Sequence, residues 1–356
     1  MARPGTKRTA QRVRGAPSDT RARPRPQASR PLRRRLQPGC ACPSHAVMDD
    51  WTHGSASAAG THGEATPATA RRERIATYDA LVDRVVRETH DAVTLVLAMP
   101  VRAEYRAGQF LTIDPHQFEE LSDLTAYLED VKGRREKVRA YSMCSSPLEP
   151  RVAVTVKEER YVRGVTRYPP LLSPYLVRRV IPGQTLTVVG FTGAYVLPRD
   201  VETRADHLVH LVAGSGSVPN FSLLKYALAA HPHLRHTFVY SNKTWEDVIF
   251  RDALAALEAR FSERLRVVHT LTREESPERH GHDVHQGRVG ADLLREVIPD
   301  PGASLVYACG PGIGPFERAA ARARFEPPAP RFLETVLVAL DEVGVPKERV
   351  KTEAYG

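Results

Sequence analysis

A short polar stretch in the first half of the chain combines side chains that could bind a nucleotide. It reads Arg139-Ala140-Tyr141-Ser142, and in a strand alternate residues face the same side. Arg139 is a permanent cation suited to phosphate, Tyr141 is a flat ring with a polar tip, and Ser142 is a small hydrogen-bonding group. Because a flavin nucleotide offers a phosphate, a ring and a ring nitrogen, these residues predict a flavin site. A buried strand that happens to contain arginine and tyrosine is the alternative interpretation.

A glycine turn in the second half follows a strand of the buried type and precedes a helix. The apolar run 208–213 leads directly into a Gly-Ser-Gly turn at 214–216, and a helix is predicted over 220–230. Strand, glycine turn and helix form the arrangement that cradles the phosphates of dinucleotides. A lone Gly-x-Gly is a weak signal, and its position between these two elements strengthens it.

A cysteine–glycine pair and a capped helix offer two further contacts. The strand predicted at 304–308 leads into a turn that begins Cys309-Gly310, at the sheet edge where ligands bind. Ser173 is predicted to cap a short helix with Pro174 in its first turn, and helix amino ends attract anions. A structural buried cysteine and an ordinary capped helix are the alternative interpretations.

Asn242 and Lys243 follow the strand predicted at 237–240, where the adenosine ribose of a dinucleotide would lie. No acid stands there to bind a free 2′-hydroxyl, and Lys243 could pair with a 2′-phosphate. This pattern favours NADPH slightly and leaves NADH open. The histidine-rich run at 280–285 is interpreted as a polar loop and not as a metal site.

The elements that position these residues predict two domains. Short strands separated by turn signals indicate an antiparallel barrel over 73–204, and alternating strands and helices indicate a doubly wound parallel sheet over 205–356. The barrel strands are placed at 76–86, 92–97, 108–113, 151–156 and 184–189. The later strands are placed at 208–213, 237–240, 265–271 and 304–308, with helices at 220–230, 250–260, 291–297, 315–324 and 331–343.

An inserted helix is predicted over 118–137, between two segments of the barrel. Its apolar residues recur at helical spacing, which is typical of an amphipathic helix. The basic residues at its carboxyl end are Lys132, Arg134, Arg135 and Lys137. A solvated charged face explains these cations better than a docking patch for a partner does.

The positive charge of the chain is confined to its beginning. Residues 1–48 hold eleven arginines and one lysine against one acid, whereas the rest of the chain has a net charge of −2. The segment 1–72 is predicted to be a disordered basic tail. Its first 47 residues are either an over-long translation start or an arm that binds polyanions. The nearly neutral remainder argues against a nucleic-acid-binding protein.

Cysteine spacing and hydropathy exclude further classes. Cys40, Cys42, Cys144 and Cys309 are too few for a disulfide framework and lack the spacing of a plant-type iron–sulfur site. No run of about 18 apolar residues predicts a transmembrane helix. A soluble, cytoplasmic protein is therefore expected.

Taken in order, these motifs resemble the ferredoxin–NADP(+) reductase family of flavoproteins, and the resemblance covers residues 73–356. It implies an FAD-binding antiparallel barrel followed by an NAD(P)-binding doubly wound domain, without a fused ferredoxin domain. The residues assigned to cofactor binding, by the resemblance or by position, are Arg139, Ala140, Tyr141, Ser142, Ser173, Gly214, Ser215, Gly216, Pro219, Asn242, Lys243, Cys309, Gly310 and Tyr355.

The resemblance also implies hydride transfer from NADPH or NADH to FAD, with electrons passed on to a one-electron acceptor. It gives Ser142 a hydrogen bond to the flavin N5 and places Cys309 against the nicotinamide. Glu353, in the closing Glu-x-Tyr motif, would stabilise or relay the accompanying proton. Tyr355 would cover the flavin until the nicotinamide displaces it. Ser142, Cys309 and Glu353 are thus the predicted catalytic residues.

The acceptor protein is left open by the sequence. Ferredoxin or flavodoxin is the first prediction, and an oxygenase component, a haem protein or a quinone is the alternative. A flavin-free structural or regulatory module of the same fold is the competing class, and it would not need Tyr141, Ser142, Cys309 and Glu353 together. No specific nucleic acid, membrane or metal partner is expected.

Overall fold

The computed structural model describes residues 76–163 and 166–355. Within these ranges the chain forms one antiparallel and one parallel sheet of six strands each. The two sheet types are those that the sequence predicts, whereas only four strands of the parallel sheet were predicted. The predicted basic tail at 1–72 and the final Gly356 lie outside the described residues. Among the helices of the described part, none has the length and apolar character needed to cross a bilayer.

The first sheet is barrel-like and antiparallel throughout. Its strands are β1 (Ala76–Thr89), β2 (Ala92–Ala98), β3 (Phe110–Ile113), β4 (Arg139–Ser142), β5 (Val152–Lys157) and β6 (Thr185–Thr192). Their order across the sheet is β4-β3-β6-β1-β2-β5, and a bridge between Met143 and Val154 joins the two edge strands. Alternation along β2 sends Val93 and Leu95 into the barrel core and Val96 into a second core outside it.

The helices of this half are short. They are α1 (Ser122–Lys132), α2 (Ser173–Arg178) and α3 (Val201–Arg204), and two 3₁₀ turns, Pro115–Gln117 and Glu119–Leu121, precede α1. The inserted helix is therefore real but shorter than the predicted 118–137. It ends at Lys132 because Gly133 adopts a left-handed conformation, with φ of 62°.

The second sheet is parallel throughout, with strands β7 (His207–Ala213), β8 (Arg235–Asn242), β9 (Leu265–Leu271), β10 (Val284–Gln286), β11 (Ser304–Pro311) and β12 (Val350–Tyr355). Its helices are α4 (Ser217–Ala230), α5 (Arg251–Arg260), α6 (Ala291–Val297), α7 (Pro315–Ala323) and α8 (Phe332–Glu342). The strand order is β10-β9-β8-β7-β11-β12. The direction of winding reverses between β7 and β11, which is where ligands bind in such sheets.

Four local predictions differ from the structure. The predicted polar break at 87–91 is mostly strand, since β1 continues to Thr89. The predicted turn at Cys309 is part of β11, because that segment pairs with β12, a strand the sequence did not indicate. The predicted polar loop at 280–285 contains the start of β10, which pairs with β9. Helix α4 begins at Ser217 because a proline is tolerated in a first turn.

The two sheets share a hydrophobic core. Ala92, Val96 and Ala153 of the barrel pack in one cluster with Val218 and Phe221 of α4. Burial of apolar surface of this kind is favourable but not directional. The packing therefore brings the sheets together without fixing their angle by itself.

Buried histidines make the parallel sheet sensitive to acid. Burial lowers the pKa of His207, His210 and His269 to about 4, from an ordinary value of 6.5. Since the folded pKa lies below the unfolded one, their contribution to stability is complete above about pH 6.5 and is lost as the pH falls toward 4.

We expect the free energy of unfolding to drop over this window by at most about 3 kcal/mol per histidine. Urea unfolding between pH 7.5 and 4.5 measures it. His210→Phe should flatten the dependence, whereas His233→Gln, at an exposed position of the same half, should leave it unchanged. If the free energy of unfolding depends on pH equally in His210→Phe and in the parent, His210 does not cause the acid sensitivity.

Candidate functional site

One cavity of about 620 Å³ lies where the carboxyl edge of the parallel sheet meets β4 of the barrel. Its lining includes most of the residues that the sequence assigned to cofactors: Arg139, Ala140, Tyr141, Ser142, Ser173, Gly214, Ser215, Asn242, Lys243, Glu353 and Tyr355. Four assigned residues, Gly216, Pro219, Cys309 and Gly310, are absent from this lining. The fold thus brings together, in the lining of one cavity, residues that are far apart in the chain.

The barrel wall of the cavity is the strand β4. Tyr141 packs against the barrel core, and Ser142 is buried at the end of the strand. The Arg139 guanidinium donates to Glu136 Oε2 at 2.5 Å and to the carbonyl oxygen of Lys137. Its charge is therefore already paired, and a phosphate at this position would bind through the remaining N–H groups or replace Glu136.

Ser173 does not cap α2, contrary to the prediction. It is the first residue of the helix, and no side chain caps that end. Its hydroxyl accepts a hydrogen bond from the Glu159 backbone N–H at 3.1 Å, because the segment after β5 packs against the helix. Ser173 still lines the cavity, but as a support for this segment and not as a helix cap.

The facing wall is the glycine loop between β7 and α4. Gly214 has φ of 53°, a left-handed conformation that favours glycine. A Cβ on Gly216 would lie 2.2 Å from the carbonyl oxygen of Cys309, so the loop passes directly against β11. The Tyr240 hydroxyl supports the loop through a hydrogen bond of 3.0 Å to the carbonyl oxygen of Gly214. This role of Tyr240 is not indicated by the sequence.

The floor of the cavity is formed by the end of β12. In the register of the parallel pair, Cys309 lies opposite Glu353 and Pro311 opposite Tyr355. Tyr355 packs against the core cluster that contains Cys309, and its hydroxyl donates to Ser142 Oγ at 2.5 Å. This hydrogen bond joins the last strand of the parallel sheet to the barrel wall, and both residues line the cavity.

Cys309 and Glu353 both sit in a poorly solvated environment. Cys309 is fully buried, and burial raises the pKa of its thiol well above the usual value, so it is uncharged. Burial also raises the pKa of Glu353 to about 7. Its Oε2 has no hydrogen-bond partner among the described residues. A carboxyl group of this kind can hold or release a proton near neutral pH.

Several lining residues were missed by the sequence reasoning. Lys157 ends β5, Glu158 and Glu159 follow it, Thr272 follows β9, and Arg331 precedes α8. For Thr272 the signal was positional, since residues just beyond the carboxyl ends of parallel strands tend to face ligands. A smaller cavity of about 260 Å³ adjoins the first and shares part of its lining. It adds Arg288 and keeps Arg331, whose guanidinium is paired with the carboxylate of Glu317.

The histidine-rich run 280–285 lies apart from the cavity lining. His280 stacks on Trp245, with ring centroids 4.6 Å apart and planes 12° from parallel. Across residues 76–163 and 166–355, no group of three or more His, Cys, Asp or Glu side chains is arranged to hold a metal ion.

Comparison with known proteins adds to this geometry. Residues 211–321 match the family described as the oxidoreductase NAD-binding domain. The chain is 31% identical over 280 residues to the ferredoxin reductase component of 3-ketosteroid-9-alpha-monooxygenase from Rhodococcus rhodochrous, covering 77% of this chain and 64% of that one. It is 28% identical over 246 residues to one of the subunits of 1,2-phenylacetyl-CoA epoxidase from Escherichia coli K12, covering 66% and 60%. The chain therefore spans less than two thirds of these relatives.

A solved structure shares the fold as well. Ferredoxin–NADP(+) reductase from Plasmodium falciparum superposes with a TM-score of 0.55 at 14% identity, covering 78% of this chain and 96% of that one. At this identity the likeness concerns the fold alone. Residues 211–321 thus form an oxidoreductase NAD-binding domain, the chain is similar to ferredoxin reductase components, and its fold is that of the ferredoxin–NADP(+) reductases.

Proposed function

We propose that this protein is a reductase that takes electrons from NAD(P)H, passes them through FAD and delivers them to a one-electron acceptor. One observation carries the proposal: a single cavity has the flavin-type strand β4 as one wall and the glycine loop as the other. The hydrogen bond between Tyr355 and Ser142 lies between these walls. Two cofactors bound to the two walls would meet there.

The barrel wall fits FAD. Tyr141 offers a half-buried ring, and Ser142 offers a hydroxyl that is paired with the Tyr355 hydroxyl alone among the side chains of the described residues. Arg139 supplies the cation for a phosphate once its pairing with Glu136 is shared or exchanged. Binding of FAD here would therefore require at least the Arg139–Glu136 and Ser142–Tyr355 contacts to change.

The glycine-loop wall fits a nicotinamide dinucleotide. Gly214 and Ser215 line the cavity directly, and Gly216 allows the loop to lie against β11. Backbone approach of this kind, at the start of a helix, suits a pyrophosphate. Glu353 also lines the cavity, and its buried Oε2 has no hydrogen-bond partner among the described residues.

Bound FAD would accept hydride from the nicotinamide and release electrons singly, which is cofactor chemistry. The protein's part is to position, to exclude water and to handle protons. Ser142 would orient the flavin ring, and Tyr355 would shield the cavity until a nucleotide ring displaces it. The neutral, buried Cys309 would provide an apolar backing to Glu353. Glu353 would hold the proton at Oε2.

The charge around the cavity favours NADPH over NADH as donor. Lys243 is exposed at the end of β8, and Arg288 and Arg331 line the adjoining smaller cavity. A 2′-phosphate could pair with Lys243 and Arg288, and with Arg331 once its ion pair with Glu317 is shared or exchanged. NADH is the alternative donor.

For the acceptor, we favour an oxygenase system over a free ferredoxin or flavodoxin. The two curated relatives are named as components of a monooxygenase and an epoxidase. A haem protein or a quinone is the second choice. A cytoplasmic location is part of the same proposal.

The decisive experiment is the visible absorption spectrum of the purified full-length protein, followed by anaerobic addition of NADPH and then NADH. We expect a flavin spectrum that NADPH bleaches faster than NADH. Faster bleaching by NADH would reverse the choice of donor and keep the reductase. A colourless protein that takes up no added FAD would overturn the proposal in favour of a flavin-free module of the same fold.

A further inference from the structure

Two buried polar contacts connect the cavity's walls behind the cavity itself. The Ser222 hydroxyl donates to the carbonyl oxygen of Ser145 at 2.6 Å, and Lys225 Nζ lies 2.5 Å from Glu149 Oε1. Ser145 and Glu149 follow Ser142 in the segment that leaves the flavin wall. Ser222 and Lys225 lie on α4, the helix that begins at the glycine loop. We call these two contacts the junction contacts.

The barrel side of the junction contacts is rigid. Ser145 is fully buried, and its hydroxyl accepts from the Ala153 backbone N–H at 2.9 Å and bonds the Tyr105 hydroxyl at 2.8 Å. Glu149 Oε1 accepts from the Ser146 N–H at 2.9 Å, and the Glu149 N–H donates back to the Ser146 carbonyl oxygen at 3.0 Å. These two hydrogen bonds close a turn, which fixes the Glu149 carboxylate in the position where it pairs with Lys225.

The helix side is equally constrained. Lys225 is only 8% exposed, and its ammonium lies 4.7 Å from the centroid of the Phe221 ring. Phe221 stacks on Phe250 with centroids 4.2 Å apart, and the Phe250 N–H donates to Glu88 Oε2 of β1 at 3.3 Å. These contacts hold the lysine side chain in place, and its ammonium meets the carboxylate of Glu149.

We infer that Lys225 and Glu149 are positioning residues, whose buried ion pair sets the angle between the flavin wall and the glycine loop. The inference rests on the proposed function, and it adds two residues that determine how the two cofactor-binding walls are oriented. The apolar core shared by the sheets is not directional, whereas a charge-assisted hydrogen bond holds both distance and angle. Neither residue of the pair is among those that the proposed function places against a cofactor.

The consequence concerns rate more than nucleotide affinity. A nucleotide would bind mainly to the glycine loop, which stays intact when the pair is broken. Hydride transfer needs both rings at a defined separation, and a displacement of about 1 Å can cost on the order of 100-fold in rate. Loss of the pair should therefore act on the transfer step.

The test uses the FAD-loaded full-length protein and anaerobic stopped-flow reduction by NADPH, or by NADH if that is the better donor. Lys225→Met should lower the limiting rate of flavin reduction by about 10- to 100-fold. The nucleotide concentration at half-maximal rate should change by less than about threefold. The primary isotope effect with C4-deuterated nucleotide should become more dependent on temperature, which a loss of stability alone would not cause.

Two variants serve as controls. Lys225→Arg retains the cation and should recover most of the rate, and Lys347→Met, at an exposed lysine of the same half, should behave as the parent. Lys225→Met leaves the buried Glu149 carboxylate without its cation, which can impair folding. The double variant Lys225→Met/Glu149→Leu removes both charges, and it should show the same slow hydride transfer.

Reduction of the Lys225→Met and double variants at the parental rate, with the parental isotope effect, would overturn the inference. Failure of the parent protein to be reduced by either nucleotide would be a different result. It would reject the proposed function, whatever the variants do.

Discussion

We expect Gly216→Ala to lower the rate of flavin reduction by NAD(P)H at least about 100-fold while FAD remains bound. The added Cβ would lie 2.2 Å from the carbonyl oxygen and 2.5 Å from the carbonyl carbon of Cys309, and 2.8 Å from Gly310 Cα. All three atoms belong to the backbone of a central strand, so no side chain can rotate away. The glycine loop must then move off β11, while the β4 wall on the barrel is untouched.

Stopped-flow reduction measures the effect, with the FAD content and the thermal midpoint recorded for each variant. Gly290→Ala is the matched control, because Gly290 has extended φ and ψ and a Cβ there would meet no atom within 4 Å. It should reduce at the parental rate. Normal reduction in Gly216→Ala, with a normal thermal midpoint, would show that the loop and β11 are not tightly packed and would contradict the structure at this point.

The prediction of the sheets and the main motifs succeeded for a local reason. Runs such as β9 and the helix α6 were placed with their observed bounds, since alternation or helical spacing of apolar residues is a property of the segment itself. The same holds for the strand, glycine turn and helix at Gly214. These features could be predicted because each element carries its own signal.

Partners across the fold could not be predicted in this way. Nothing near Arg139 in the motif indicates that Glu136 would take its charge, and nothing near Ser173 indicates that Glu159 would engage its hydroxyl. Strand β12 is a second example. Val350–Tyr355 is largely polar and exposed, and it is a strand because β11 offers an edge to pair with.

The burial of Cys309 also depends on contacts between elements, which the local sequence does not indicate. The resemblance placed Cys309 against the nicotinamide, with a structural buried cysteine as the alternative, and in the structure the pairing of β11 with β12 and the packing of Tyr355 bury its side chain completely. The predicted limits of the domains, 73–204 and 205–356, remain predictions. The catalytic roles of Ser142, Cys309 and Glu353 remain so as well.

The second large effect is expected at Glu353. Burial raises the pKa of this carboxyl group to about 7, so it is largely protonated below pH 7 and largely ionised above it. If the protonated form supports the transfer step, the rate of flavin reduction in the parent should fall as the pH rises through about 7. Glu353→Gln cannot ionise, and it should show a flat profile and a rate about 100-fold lower, as is typical for loss of a general acid.

Reduction rates between pH 5.5 and 8.5 test this expectation. FAD content is measured in parallel and should be unchanged, because Glu353 is not among the flavin-wall residues. Glu348→Gln, at an exposed position just before β12, is the control for removal of one negative charge from the same strand region. It should keep the inflection near pH 7. A Glu353→Gln protein with the parental rate and the parental inflection would place the titrating group elsewhere in the cavity. Because Cys309 is uncharged and buried beside it, Glu353 is the group that the geometry selects.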